Sequence, residues 1–469
     1  MKNVNHLSKP TQRQHSLEGL HGTVKVPPRS ARSWRQYLAF AGPAMLISVG
    51  YMDPGNWSTD LSAGAGFKYG LLFIVGFSSL MAIFLQVISA RLGVVTGRDL
   101  AQCCRDHLPG WTRWPNYLSC EIAIVACDLA EVLGSAVAIH LLFPRISLFT
   151  AVIITAFDVV LLLSLQRMGM RLIEAVIVVL IGTIGICYFI EIFVLPQTKP
   201  NLLEVASATV APNLAAFIKN KDMVYIAIGI VGATVMPHNL YLHSALVQSR
   251  KLQADDESVR RAIKFNTLDS VIALSFAFFV NAAILVLAAL LFFGKDKMTL
   301  PGGKEVIFNA DADWIQVAYL TLSPLLGVAA ASLLFALALL ASGQSSTITG
   351  TLAGQVVMEG FMDWKIRPWL RRLITRLAAI VPAIFLIGLR GDSDVNGLLN
   401  LSQVVLAIQL PLAMFPLLWL TGSHKLMGSY RNGFFLAIAG WTSCLLITAL
   451  DIYGLPGAIH DAIAVFAPH

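Results

Sequence analysis

The sequence predicts an all-α integral membrane protein of eleven transmembrane helices, and three observations predict it. Only 13% of the 469 residues are Asp, Glu, Lys or Arg, against 56% apolar. A soluble chain carries about 25% charged residues. Eleven apolar runs approach the length of about 20 residues that spans a bilayer. The 34 basic residues also sort by side: with the N-terminus inside, alternate loops place 25 in the cytoplasm and nine outside. That is the asymmetry of the positive-inside rule. It also explains the net charge of +7, so nucleic acid is not an expected partner. Disorder is excluded by 25 Phe and 9 Trp, because disordered chains are poor in aromatics.

Residues 1–37 are polar and basic with no apolar core, so they read as a cytoplasmic tail and not as a cleavable signal. The spans follow at 38–68, 70–95, 115–142, 147–165, 172–195, 222–248, 265–294, 313–342, 373–391, 396–420 and 431–452. Their odd number leaves the C-terminus outside. The loops are too short for a soluble domain. Six cysteines, Cys103, Cys104, Cys120, Cys127, Cys187 and Cys444, contain no CxxC pair, so neither a disulfide framework nor a zinc site is expected.

Two spans are interrupted. The first breaks at Tyr51-Met52-Asp53-Pro54-Gly55-Asn56 and the sixth at Gly232-Ala233-Thr234-Val235-Met236-Pro237-His238-Asn239. Pro removes a backbone donor and clashes with the preceding turn. Unwound backbone at bilayer depth survives only where protein or a polar cavity surrounds it. Each break opens a block of five spans, 38–195 and 222–420, and five is odd, so the second block inserts inverted. Matched broken helices in inverted halves point to a transporter site. The eleventh span, 431–452, stands outside the repeat.

The polar groups at membrane depth are few. Asp53 serves either as a cation ligand or as the cap of the half-helix that follows it. Asn56, the backbone carbonyls at Gly50 and Ala233, and the thioether of Met236 face the same level if the repeat holds. Oxygen donors alone suit Mg²⁺ and Ca²⁺, and an added sulfur shifts preference toward transition metals. The expected ion is Mn²⁺ or Fe²⁺, with Cd²⁺ as a mimic. His238 either closes the break or carries a proton near the metal. The third span places Glu121, Asp128 and Glu131 on one helix face. Arg371, Arg372 and Arg376 open the ninth span, either snorkelling to the cytoplasm or pairing with those acids. Thr234, Asn281, Gln403 and Gln409 are further polar groups that either line the pathway or bond a neighbouring helix.

The Asp53-Pro54-Gly55-Asn56 and Met236-Pro237-His238-Asn239 motifs resemble those of the Nramp divalent-metal transporters. Arg91-Leu-Gly-Val-Val-Thr-Gly97 and Ser402-Gln403 followed by Gln409-Leu410-Pro411 are similar to theirs as well. The resemblance spans about 36–452 and implies a LeuT-type fold with proton-coupled uptake of Mn²⁺ and Fe²⁺. It implies Asp53, Asn56, Met236 and the carbonyls of Gly50 and Ala233 as metal ligands, with Gln403 joining when the site is occluded. It implies Asp53, His238, Glu121, Asp128 and Glu131 as proton-linked groups, with Arg partners in the ninth span. The retained Met places the chain with the transition-metal branch.

An amino-acid/cation symporter of the same fold is the alternative, but Asp53 in the break repels a substrate carboxylate. A membrane hydrolase would need a set such as HExxH, which is absent, so no enzyme activity is expected. No cofactor and no obligate protein partner are expected. The partners are membrane lipid, the transported metal ion and protons, in the cell membrane.

Overall fold

The computed structural model describes residues 15–157, 170–190, 200–299, 305–308, 312–326, 330–390 and 395–466, except residues 29 and 254. Helices dominate. Among the described residues strands are confined to two short pairs, Val24–Lys25 with Arg250–Lys251 and Lys297–Thr299 with Glu305–Ile307. Among the described residues seven helices are long and apolar enough to cross a membrane, with the halves of the sixth span counted together.

Both predicted breaks are present. The first span consists of Pro43–Gly50 and Pro54–Phe67, and the sixth of Lys221–Thr234 and Pro237–Leu246. Pro54 and Pro237 each occupy the first helical position, where a missing N–H costs nothing. Asp53 caps its half-helix by accepting from Asn56 N at 2.8 Å. The first half of the first span, Pro43–Gly50, is capped in trans. Asp269 of the seventh span accepts from Gly42 N at 3.2 Å and from Ala44 N at 3.0 Å. Gly42 sits at φ 131°, a conformation that a side chain would oppose.

The second, third, seventh and tenth spans are Leu72–Thr96, Arg113–Leu142, Asp256–Leu291 and Val395–Gly422. The ninth is Pro368–Arg390, and the eleventh runs on from Phe434 to Phe466. The fourth is described over Leu148–Thr155 and the fifth over Met170–Phe189. The predicted remainders, 158–165 and 191–195, lie outside the described residues.

The eighth span departs from expectation. The run predicted at 313–342 divides into a helix at Trp314–Leu326 and a long helix at Ala331–Met362. The second of these packs most extensively on the third span. Its middle, Ser342-Gly-Gln-Ser-Ser-Thr-Ile-Thr349, reads as polar in sequence, yet Ser342, Ser345 and Ser346 are wholly buried. Hydropathy reports the cost of facing lipid. These hydroxyls face protein and find partners in it, Ser345 within its own helix and Ser342 and Ser346 on the first and third spans, so the measure misses them.

Small residues bring the helices close. An added Cβ at Gly232 would lie 2.0 Å from the carbonyl oxygen of Gln403, and one at Gly134 would lie 2.1 Å from the Pro54 side chain. The sixth span is thereby seated on the tenth and the third on the first break. The N-terminal tail is less free than its polarity suggests. Leu17, Leu20 and Val24 are buried, and Leu17 N donates to Glu359 Oε2 at 2.9 Å at the end of the eighth span.

Candidate metal and proton site

The two breaks meet. The side-chain nitrogen of Asn56 stands among three acceptor oxygens: Asp53 Oδ1 at 2.7 Å, Ala233 O at 3.0 Å and Gly50 O at 3.4 Å. Two of these oxygens come from the first break and one from the sixth. The opposite end of the amide is held by Asn281, whose Nδ2 donates to Asn56 Oδ1 at 3.2 Å and to Tyr51 O at 2.8 Å. Asn281 thus orients the amide from the seventh span.

Met236 closes the same space. A Cβ on Gly50 would lie 3.1 Å from the Met236 sulfur, so the thioether rests against the first break. Asn239 Nδ2 donates to that sulfur at 3.5 Å. Gln403 reaches the opposite side: a Cβ on Gly55 would lie 1.9 Å from its Nε2. The same Nε2 donates to Ser402 Oγ at 2.9 Å. Asp53, Met236 and Gln403 are 0% exposed, so the site is closed to solvent. Among the described residues, Asp53 Oδ2, Gln403 Oε1 and Thr234 Oγ1 are buried without a hydrogen-bond partner. Buried oxygens in that state are costly unless a cation or a proton is brought to them. No group of three His, Cys, Asp or Glu side chains arranged to hold a metal ion occurs among the described residues, and the donors gathered at the breaks are oxygens with the Met236 thioether.

His238 is buried in the first turn after the sixth-span break, and its Nδ1 has no partner among the described residues. Gln409 is buried too, but six residues beyond Gln403 it faces another side of the tenth span. No hydrogen bond among the described residues ties it to the breaks.

The third-span acids meet the ninth-span arginines. Arg371 Nη2 lies 2.6 Å from Glu121 Oε2. Arg372 Nη1 and Arg376 Nη1 both reach Asp128 Oδ1, at 2.9 and 2.8 Å. All three arginines therefore take part. Arg372, Arg376 and Asp128 are 2% exposed or less, which rules out simple snorkelling. Glu131 sits at the edge of the stripe and faces the eighth span, where Ser346 Oγ donates to its Oε1 at 2.8 Å. Three residues advance the helix by about 300°, enough to turn Glu131 from one neighbour to the next.

Several participants were not legible in the sequence. Ser342 donates to Met52 O at 2.5 Å, in the unwound turn itself. His243, which sequence spacing places on a different face from His238, meets Gln86 Oε1 at 3.0 Å, and Gln86 Nε2 donates to the Tyr51 hydroxyl at 2.8 Å. Ser58 donates to Asn396 and Asn400 at 2.7 and 2.8 Å, tying the second half of the first span to the tenth. Ser, Asn and Gln are common enough in helices that spacing alone did not single them out.

Comparison with known proteins identifies the family and the fold. A family model for natural resistance-associated macrophage protein-like proteins, Nramp, matches residues 44–456. A divalent metal cation transporter MntH of Nostoc is 48% identical over 444 residues, covering 95% of this chain and 96% of that protein. The protein of the same name from Brucella suis is 48% identical over 438 residues, covering 93% and 91%. The crystal structure of the Eremococcus coleocola manganese transporter, in complex with an aromatic bis-isothiourea substituted compound, superposes with a TM-score of 0.81 at 36% identity, over 97% of each chain. The crystal structure of MhsT in complex with L-phenylalanine has a TM-score of 0.57 at 14% identity, over 89% of this chain and 98% of that one. That likeness shows the LeuT-type fold alone. The buried cage between two broken helices, the paired motifs that build it and relatives matched over nearly the whole length lead to one conclusion: this chain is an integral membrane protein of the Nramp family.

Proposed function

We propose that this protein imports divalent transition metal ions, Mn²⁺ and Fe²⁺ with Cd²⁺ as a mimic, by alternating access, and that protons move inward with them. The observation that carries the reading is the convergence of Asp53 Oδ1, Gly50 O and Ala233 O on one point beside the Met236 thioether. Three oxygens aimed at one donor form a cage that a cation also fills. In this reading Asp53, Met236 and the two carbonyls bind the ion, Asn56 joins them through Oδ1 once its amide turns over to release the cage oxygens, and Gln403 adds an oxygen. The fully buried Asp53 carboxylate and the buried His238 ring of the sixth-span break pass protons toward Glu131, Asp128 and the arginines of the ninth span. The basic-residue asymmetry supports an N-terminus in the cytoplasm and a C-terminus outside. An amino-acid symporter fits less well, because a substrate carboxylate wants free N–H donors in the break and Asp53 presents oxygens there.

Purified protein in liposomes tests the reading. An inward proton gradient is expected to speed Mn²⁺ uptake, and Mn²⁺ is expected to acidify the lumen when no gradient is imposed. Competition by amino acids with no competition by Cd²⁺ would favour the symporter instead.

The thioether has its own test. Met236→Ala leaves an oxygen-only site, which suits hard ions. Ca²⁺ or Mg²⁺, excluded by the native protein, is expected to compete with Mn²⁺ in the variant, with discrimination reduced about tenfold or more. Unchanged exclusion of Ca²⁺ in a folded Met236→Ala protein would remove the selectivity argument.

A further inference from the structure

Cys127 immediately precedes Asp128 in the third span, and the proposed transport cycle gives it no role. It is 1% exposed. With Ala123, Met236 and Leu406 it forms a small buried cluster separate from the main apolar core. The thiol of the third span and the thioether of the sixth-span break therefore belong to one buried side-chain cluster. The Asp53 carboxylate is also fully buried, and its Oδ2 has no hydrogen-bond partner among the described residues. The S–H is directed elsewhere: Cys127 Sγ donates to Glu131 Oε1 at 3.5 Å, one turn along the same helix. With its hydrogen turned to Glu131, the sulfur keeps its lone pairs for the cluster, much as a thioether does. A sulfur is a soft donor and favours thiophilic ions over Mn²⁺.

We infer that Cys127 is a specificity-determining residue of the metal site, its sulfur joining that of Met236 to give the cage a two-sulfur face that prefers thiophilic ions such as Cd²⁺. The inference rests on the metal-transport reading above. A hydroxyl in place of the thiol keeps the size and the bond to Glu131 but removes the soft donor.

The test uses the full chain in liposomes. Half-saturating concentrations for Cd²⁺ and for Mn²⁺ are measured in parallel on the native protein, Cys127→Ser and Cys127→Ala. Their ratio does not depend on how much protein is folded. The preference for Cd²⁺ over Mn²⁺ is expected to fall about tenfold in both variants. A ratio within about twofold of native in both overturns the inference.

A second measurement needs no variant. Methyl methanethiosulfonate caps a thiol as its methyl disulfide with release of methanesulfinate, and capping of Cys127 is followed by peptide mass spectrometry. Cd²⁺ is expected to slow capping more strongly than Mn²⁺ at equal saturation, and equal slowing overturns the inference. Native protein that takes up neither ion would sink the transport reading itself. Native uptake with an unchanged ratio would sink only the role of Cys127.

Discussion

Asp53→Ala is expected to lower Mn²⁺ uptake into proteoliposomes by about 100-fold or more, a loss of about 2.7 kcal/mol at about 1.4 kcal/mol per factor of ten. The carboxylate is the one anionic group in the cage formed by the two breaks. It is fully buried and holds one oxygen without a partner among the described residues. A divalent ion leaving water must be compensated inside, and two carbonyls, an amide and a thioether carry no net charge. Removing Asp53 also removes the cap on Asn56 N, so alanine alone does not separate ligand from cap. Asp53→Asn does separate them. Asn caps helices about as well as Asp, so a purely structural role predicts nearly native uptake in that variant. The ligand role predicts that Asp53→Asn is almost as inactive as alanine while its melting temperature stays near native. Substantial Mn²⁺ flux through Asp53→Asn would falsify the assignment.

Asp128→Ala is expected to have the largest effect on stability. Arg372 and Arg376 both direct Nη1 to Asp128 Oδ1, and all three residues are buried at the interface of the third and ninth spans. Breaking a buried pair from one side costs about 3–5 kcal/mol, because a charge is left uncompensated. Here one substitution disturbs two guanidiniums at once. Thermal unfolding in detergent is expected to show a clear drop in melting temperature for Asp128→Ala. Part of that loss is expected to return when Arg372→Ala is added, since the second change removes one stranded charge. A double variant no better than the additive sum of the two single losses would show that the pair is not coupled.

Much of the site was legible because charge is scarce in this chain. Asp53, Glu121, Asp128 and Glu131 stand out in apolar runs, and two prolines mark the breaks without any structure. The same logic failed at the eighth span. Its buried serines and threonines lowered the hydropathy of a helix that is enclosed by protein, and the predicted boundaries 313–342 slid toward the loop. It also left Asn281 as an undecided polar group, although that residue holds the Asn56 amide from a distance of 225 positions.

By itself the sequence determined the membrane class, the two broken helices, the acids at depth and the sulfur at the sixth-span break. Those features follow from composition, from the geometry of proline and from the cost of burying charge, all of which are local to a segment. Only the tertiary structure decided which arginine meets which acid, that Glu131 turns to Ser346, and that Cys127 shares a buried cluster with Met236. Those pairings depend on helix rotation and on which glycines let two backbones approach. A rotation of one residue, about 100°, moves a side chain from one neighbouring helix to another, and no spacing within a single segment reports it.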